Sequence, residues 1–163
     1  MKHYSAHAID MFTRHVLNDT PGSNWLIENN YRELIAVIDA IRDDKFAFKY
    51  LIDGKHFELA AFVNAIWEDA SAFKFLIDRK AFDWAATANY INGDDKAEEA
   101  LLRAGKKHYV MLGNAIQSVV RADGDRAVSP MGVIKNMLNF KKAFEKEPDT
   151  SSWQKDPKKH LKK

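Results

Sequence analysis

Ala47–Asp69 reads AFKYLIDGKHFELAAFVNAIWED, and Ala72–Asp94 reads AFKFLIDRKAFDWAATANYINGD. Superposed at an offset of 25 residues, 13 of the 23 positions are identical. Self-similarity at a fixed period of roughly 20–50 residues marks a stacked-repeat architecture. The same offset extends outward. Gly22–Asp44 keeps Leu26, Ile27, Ala36, Ala40, Ile41 and Asp44 in register, and Ala97–Gln117 keeps Ala97, Leu101, Asn114 and Ile116. About four units follow, at 22–46, 47–71, 72–96 and 97–121, two close copies between two divergent ones. A unit this small cannot bury its own apolar face, and the outermost units meet different surroundings and diverge.

Each unit reads as a short helix, a tight corner and a longer helix. Asp44 and Ser71 are the N-cap candidates of the second and third short helices, and Asp95 with Glu98 spells a capping box for the fourth. Asn30 with Glu33 spells the same box for the first longer helix. Gly54 is expected to allow a corner, Asn92-Gly93 to end a longer helix, and Gly105 to close a short one. His56–Glu68 is apolar on nearly every face, as a helix buried on both sides requires. The pairs Ala60–Ala61 and Ala85–Ala86 leave room for close helix contact. Phe57 and Phe82 share one repeated position and are expected to be fully buried, with Arg32 and Lys107 in their place in the outer units. No alternating stretch between turn dipeptides suggests a strand.

Lys2–Leu17 carries Tyr4, Ala8, Phe12 and Val16 at helical spacing, and Pro21-Gly22 is expected to break the chain after it. This helix, 2–17, should cover the exposed end of unit one. Ser129-Pro130 starts a second capping helix, 130–147, stopped by Pro148. The expected fold is all-α: an α-solenoid-like stack of about four 25-residue helix-turn-helix repeats between two capping helices. It forms a single domain over 1–147, with a flexible basic tail at 148–163.

Composition narrows the function without naming it. Among 163 residues, 46% apolar and 29% charged, there is no Cys, which excludes disulfides and thiolate chemistry. No apolar run reaches the length of a membrane span, and His, Asp and Arg interrupt the first fifteen residues where a signal peptide would be apolar. A soluble, cytoplasmic protein is expected. The net charge of +2 divides into a mildly acidic body and a basic end, since residues 127–163 hold nine Lys against four acids.

His3, His7 and Asp10 share a helical face but lack a third ligand in step, so no metal site is expected. Asp123-Gly124-Asp125 opens like a calcium loop, yet the twelfth position is Ile134 and the reading reduces to a turn. No nucleophile elbow, phosphate loop or cofactor motif is present, so no cofactor and no catalytic residue is expected. Lys135, Lys141, Lys142 and Lys146, with Trp153 beyond them, could meet phosphates and unpaired bases, but the tail has no Arg to fork onto base edges. The architecture resembles the helical-repeat scaffolds of the HEAT, armadillo and ankyrin kind, with a shorter period and none of their consensus motifs.

One polar feature recurs with the repeat. Asp39, Asn64, Asn89 and Asn114 stand every 25 residues on the longer helices. An evenly spaced row of amides could grip the backbone of an extended peptide. Asn64 shares its face with Phe57, Ala60 and Ala61, which favours a structural tie between units instead. Asp39, seven residues after Arg32, is expected to pair with it. The sequence therefore points to a non-catalytic protein- or peptide-interaction module. A nucleic-acid binder using the basic end is the alternative, and an enzyme whose site is not legible here is the third reading.

Overall fold

The computed structural model describes residues 2–122, and every regular element among them is an α-helix. α1 spans Ala6–Val16, α2 Thr20–Glu28, α3 Arg32–Ile41, α4 Lys45–Asp53, α5 Phe57–Ile66, α6 Ala70–Asp78, α7 Phe82–Ile91, α8 Asp95–Arg103 and α9 Lys107–Ala122. The short helices begin at 20, 45, 70 and 95 and the longer ones at 32, 57, 82 and 107, so the 25-residue spacing passes into the backbone. The packing of consecutive helices is consistent with a helical repeat. The turn at Asp123, the helix expected at 130–147 and the tail at 148–163 lie outside the described residues. No described helix is long and apolar enough to cross a membrane.

The corners explain the spacing. Each short helix is opened by an Asp that accepts backbone N–H groups of its first turn: Asp19 from Gly22, Asp44 from Phe46 and Ala47, Asp69 from Ser71 and Ala72, Asp94 from Lys96. Those donors have no partner within the helix. Ser71 and Asp95, expected as caps, stand inside the first turns of α6 and α8 instead. Pro21 and Gly22 do not break the chain. They belong to the first turn of α2, where a proline's missing N–H costs nothing.

At the opposite corners the chain reverses on one residue of left-handed backbone: Asn30, Lys55, Lys80 and Gly105, with φ of 62°, 61°, 59° and 71°. The following N–H reaches back 2.8 Å to the carbonyl of Leu26, Leu51, Leu76 or Leu101, closing the last turn. Gly105 thus ends its helix as expected, whereas the Asn30–Glu33 capping box does not form, because Asn30 is spent on the corner and Tyr31 is the N-cap of α3. Gly54 also plays a different part. Its backbone is right-handed, Lys55 makes the turn, and Gly54 supplies room: a Cβ there would stand 2.7 Å from the His56 ring.

The longer helices form an inner row in which α3 packs on α5, α5 on α7 and α7 on α9. α1 completes that row. It packs against α9 as well as α2, and touches α3. Its buried Ile9, Phe12 and Val16 stand 25 positions before the buried Leu34, Val37 and Ile41, so α1 lies in the register of the longer helices and is more than a cover on unit one. The row closes into a ring of α1, α3, α5, α7 and α9, with α2, α4, α6 and α8 packed around it. Each longer helix also packs closely on the short helix that follows, α1 on α2, α3 on α4, α5 on α6 and α7 on α8.

Inside the ring, Val37, Phe62, Thr87 and Leu112 occupy one repeated position and are fully buried. α5 is buried from Leu59 to Ile66, as its apolar faces imply. Phe57 and Phe82 depart from expectation: Phe57 is only partly buried and Phe82 is 56% exposed. Side chains lean toward the N-terminus of their helix, so a first-turn residue with no turn before it projects past the helix end. The buried position is two residues on, where Leu34, Leu59, Trp84 and Tyr109 stand.

Candidate functional site

The N-terminal ends of α3, α5, α7 and α9 meet at one end of the ring, and residues Lys2–Ser5, expected to be helical, run across it without regular structure. Ser5 is extended, with φ −66° and ψ 158°, and caps α1 by accepting from the Ala8 N–H at 3.1 Å. Tyr4 therefore points away from α1 and into the mouth of the ring. Its ring meets Trp84 edge-on at 5.9 Å and Tyr31 at 5.9 Å. Trp84 in turn contacts Tyr109 at 5.3 Å and Phe62 at 4.8 Å, which ties the mouth to the core. Burial pushes the phenols of Tyr4 and Tyr109 well above their ordinary pKa, and for Tyr4 the nearby Glu33 adds to it.

Glu33 sits in the first turn of α3 and is buried, 3% exposed. Lys2 Nζ lies 2.5 Å from its Oε1, and the Tyr4 hydroxyl donates to the same oxygen at 3.1 Å. The Lys2 ammonium also stands 4.4 Å from the centroid of the Tyr31 ring and 5.6 Å from that of Tyr4. Tyr31 is itself held flat against Trp25 at 5.5 Å, and Trp25 meets His7 edge-on at 4.8 Å.

Two clefts, of about 290 and 200 Å³, open on this end. Lys2, Tyr4 and Trp84 line both. The first adds Lys55, His56, Phe57, Glu58 and Arg79, and the second Lys80, Phe82, Asp83, Lys106 and Tyr109. Cations outnumber carboxylates here, although Lys106 is paired with Asp83 at 3.1 Å. The N-caps of α3, α5 and α7, Tyr31, His56 and Ala81, give no side-chain bond to their helices, so the first-turn N–H groups present partial positive charge to the mouth. Burial lowers the pKa of His56, which is neutral near pH 7. The mouth offers aromatic surface, cations and hydrogen-bond donors, the materials of recognition. Among the described residues that line it, none is paired as a nucleophile with a base.

The residues singled out from sequence fall elsewhere or at its edge. Arg32 and Lys107 are exposed at the first positions of α3 and α9, in the same column as Phe57 and Phe82. The Asn row is not uniform: Asn64 is buried with its Nδ2 unpartnered, Asp39 and Asn89 are half-buried, and exposed Asn114 accepts from the Tyr90 hydroxyl at 2.6 Å. The charges acting on Asp39 are those of His15, Asp44 and Arg42, and Arg32 is not among them. Burial raises the Asp39 pKa and lowers that of His15. His15 Nδ1 is 2.6 Å from Ser23 Oγ, away from both clefts. Lys135, Lys141, Lys142 and Lys146 lie outside the described residues. Sequence reasoning missed Lys2, Tyr4, Glu33 and Trp84. The one periodic hint was the acidic second position of the longer helices, Glu33, Glu58 and Asp83.

No protein-family model matches this chain, and comparisons with curated proteins and with solved structures likewise give no match.

Proposed function

We propose that this chain is a non-catalytic protein-interaction module built from four 25-residue helix-turn-helix units, an α-solenoid-like stack whose ends α1 brings together. Its binding face is the mouth at the N-terminal ends of α3, α5, α7 and α9. The partner is an extended, acidic peptide segment of another protein. The observation that carries this reading is that residues Lys2–Ser5 already lie across the mouth as a peptide would, with an aromatic-floored, cation-rimmed cleft on either side. Lys55 and Lys80 at the rim, with Arg32 and Lys107 beyond them, supply the charge complementarity, and uncapped helix N-termini favour anionic side chains. In this reading Asp39, Asn64, Asn89 and Asn114 belong to the packed body of the stack and do not touch the partner.

The test is titration of the full chain with a Glu-rich peptide and, separately, with a single-stranded oligonucleotide, at low and physiological salt. The peptide is expected to bind, to weaken with salt, and to lose affinity about tenfold in Lys55→Glu/Lys80→Glu. Failure of the peptide at low salt overturns the reading. Oligonucleotide binding that survives the double substitution would instead favour the basic residues Lys135, Lys141, Lys142 and Lys146.

A further inference from the structure

Glu33 is a buried carboxylate that accepts from Lys2 and Tyr4, and both of these come from outside the helical ring. A buried charge left alone is strongly unfavourable, so the site requires a cation. The cation it holds is an alkylammonium, bonded to Glu33 on one side and facing the rings of Tyr31 and Tyr4 on the other. Carboxylate plus aromatic faces is the combination that favours an ammonium over a bare metal ion, since ring quadrupoles attract an organic cation that is less strongly hydrated than a metal ion. Tyr31 cannot swing away easily, because Trp25 is stacked behind it. Lys2, by contrast, remains 46% exposed along its side chain and is held by its tip.

We propose that Glu33, Tyr31 and Tyr4 form an ammonium-binding box, that Lys2 is its built-in occupant, and that a lysine side chain of the partner segment displaces Lys2 from it. This deepens the peptide-binding reading above and rests on it only for the identity of the partner. The box lies beside the clefts that Lys2 lines, so the exchange would join one cleft to the next and seat a single lysine between acidic neighbours. Lys2 is tethered close by, with an effective concentration on the order of millimolar, so a free amine competes poorly and a peptide with further contacts competes well.

Chemical rescue in the full chain tests the box without reference to the partner. Lys2→Ala is expected to lower Tm by about 3 °C, the scale of one kcal/mol for a chain of this size. Saturating n-butylammonium should restore most of that loss, while n-butanol and NaCl at equal concentration should not. Glu33→Gln in the Lys2→Ala background should abolish the rescue. A free diamine and the peptide acetyl-Lys-His-Tyr-amide, added in turn to Lys2→Ala, separate the two sources of an ammonium; tighter binding of the peptide is expected. In unmodified protein, Lys2 should acetylate more slowly than Lys80, and Glu33→Gln should erase the difference, a readout that stands even if Lys2→Ala does not fold. Rescue by n-butanol, rescue that persists in Glu33→Gln, or equal acetylation of Lys2 in both backgrounds overturns the proposal. A box that rescues in a chain that binds no acidic peptide would keep the ammonium site and discard the peptide reading.

Discussion

Asp69 carries two jobs that conflict. Its Oδ1 caps α6 by accepting from Ser71 and Ala72, which favours the charged form, while its Oδ2 is buried with no partner. Burial wins and raises its pKa from 3.8 to about 6. A carboxyl raised in the folded state binds its proton more tightly there than in the unfolded chain. Its contribution to stability is therefore greatest below pH 4 and is lost as pH rises through 6. Asp69→Asn is expected to remove that slope, a change on the order of 2 kcal/mol across the window. His15 and His56, whose pKa values are lowered by burial, act oppositely and lose stability as pH falls. Comparing urea unfolding of the two proteins at pH 4 and pH 7 isolates Asp69, and parallel curves would show that its proton is not retained. Phe82 and Trp84 give a second test at this scale. Phe82→Ala should cost under about 1 kcal/mol, and Trp84→Ala about 3–5 kcal/mol, since only the second is a core truncation. Equal losses would place the buried column wrongly.

Between elements, α7 and α9 approach each other closely. A Cβ at Gly113 would stand 2.7 Å from Cδ1 of Tyr90, whose hydroxyl is bonded to Asn114. Tyr90 stands where the preceding unit has Ala65, and Gly113 stands where the unit of Tyr90 has Ala88. A larger residue on one helix is matched by a smaller one on the next, as close packing demands. Gly113→Ala is expected to destabilise by about 1–2 kcal/mol despite the better helix propensity of Ala. Tyr90→Ala alone should also destabilise, yet the double variant should lose at least about 0.5 kcal/mol less than the sum, the signature of direct contact. Additive losses in a double-mutant cycle would mean that Tyr90 and Gly113 do not touch. The caps were partly legible at this scale. Asp44 was visible because nothing near it competed, whereas Asp69 and Asp94 were masked by Ser71 and Asp95, residues with the same capping chemistry one or two places on.

At the scale of the molecule, the contact between α1 and α9 sets this chain apart from an open row of repeats. In an open row each unit touches its neighbours alone, and disturbance at one end dies out before the other. Here α1 packs on α2 and on α9, with Phe12 fully buried. Phe12→Leu, which loosens α1 without emptying its site, is expected to raise amide hydrogen exchange in α9 as well as in α2. Exchange raised in α2 alone would show that the ends are not coupled. Closure also makes the mouth: residues Lys2–Ser5 reach Glu33 on α3 and Trp84 on α7 because α1 stands beside α9.

The helical class, the 25-residue spacing and the approximate placement of the helices from α4 to α9 were determined by the sequence alone, because their causes are local. Asp caps, left-handed corners and apolar faces act within a few residues, and two units similar enough to align repeat those causes in register. The place of α1 was decided by tertiary structure. Residues 7–16 share no identity with 32–41, and only bulk and apolarity at Ile9, Phe12 and Val16 persist, too little to read as a repeat without the packing. The exposure of Phe82 and the burial of Glu33 were decided in the same way. Each depends on what lies across the end of a helix, and that is set by the small rotation between successive units summed around the ring. Local sequence does not carry that sum, so the meeting of Lys2 with Glu33, 31 residues apart, exists only once the ring has closed.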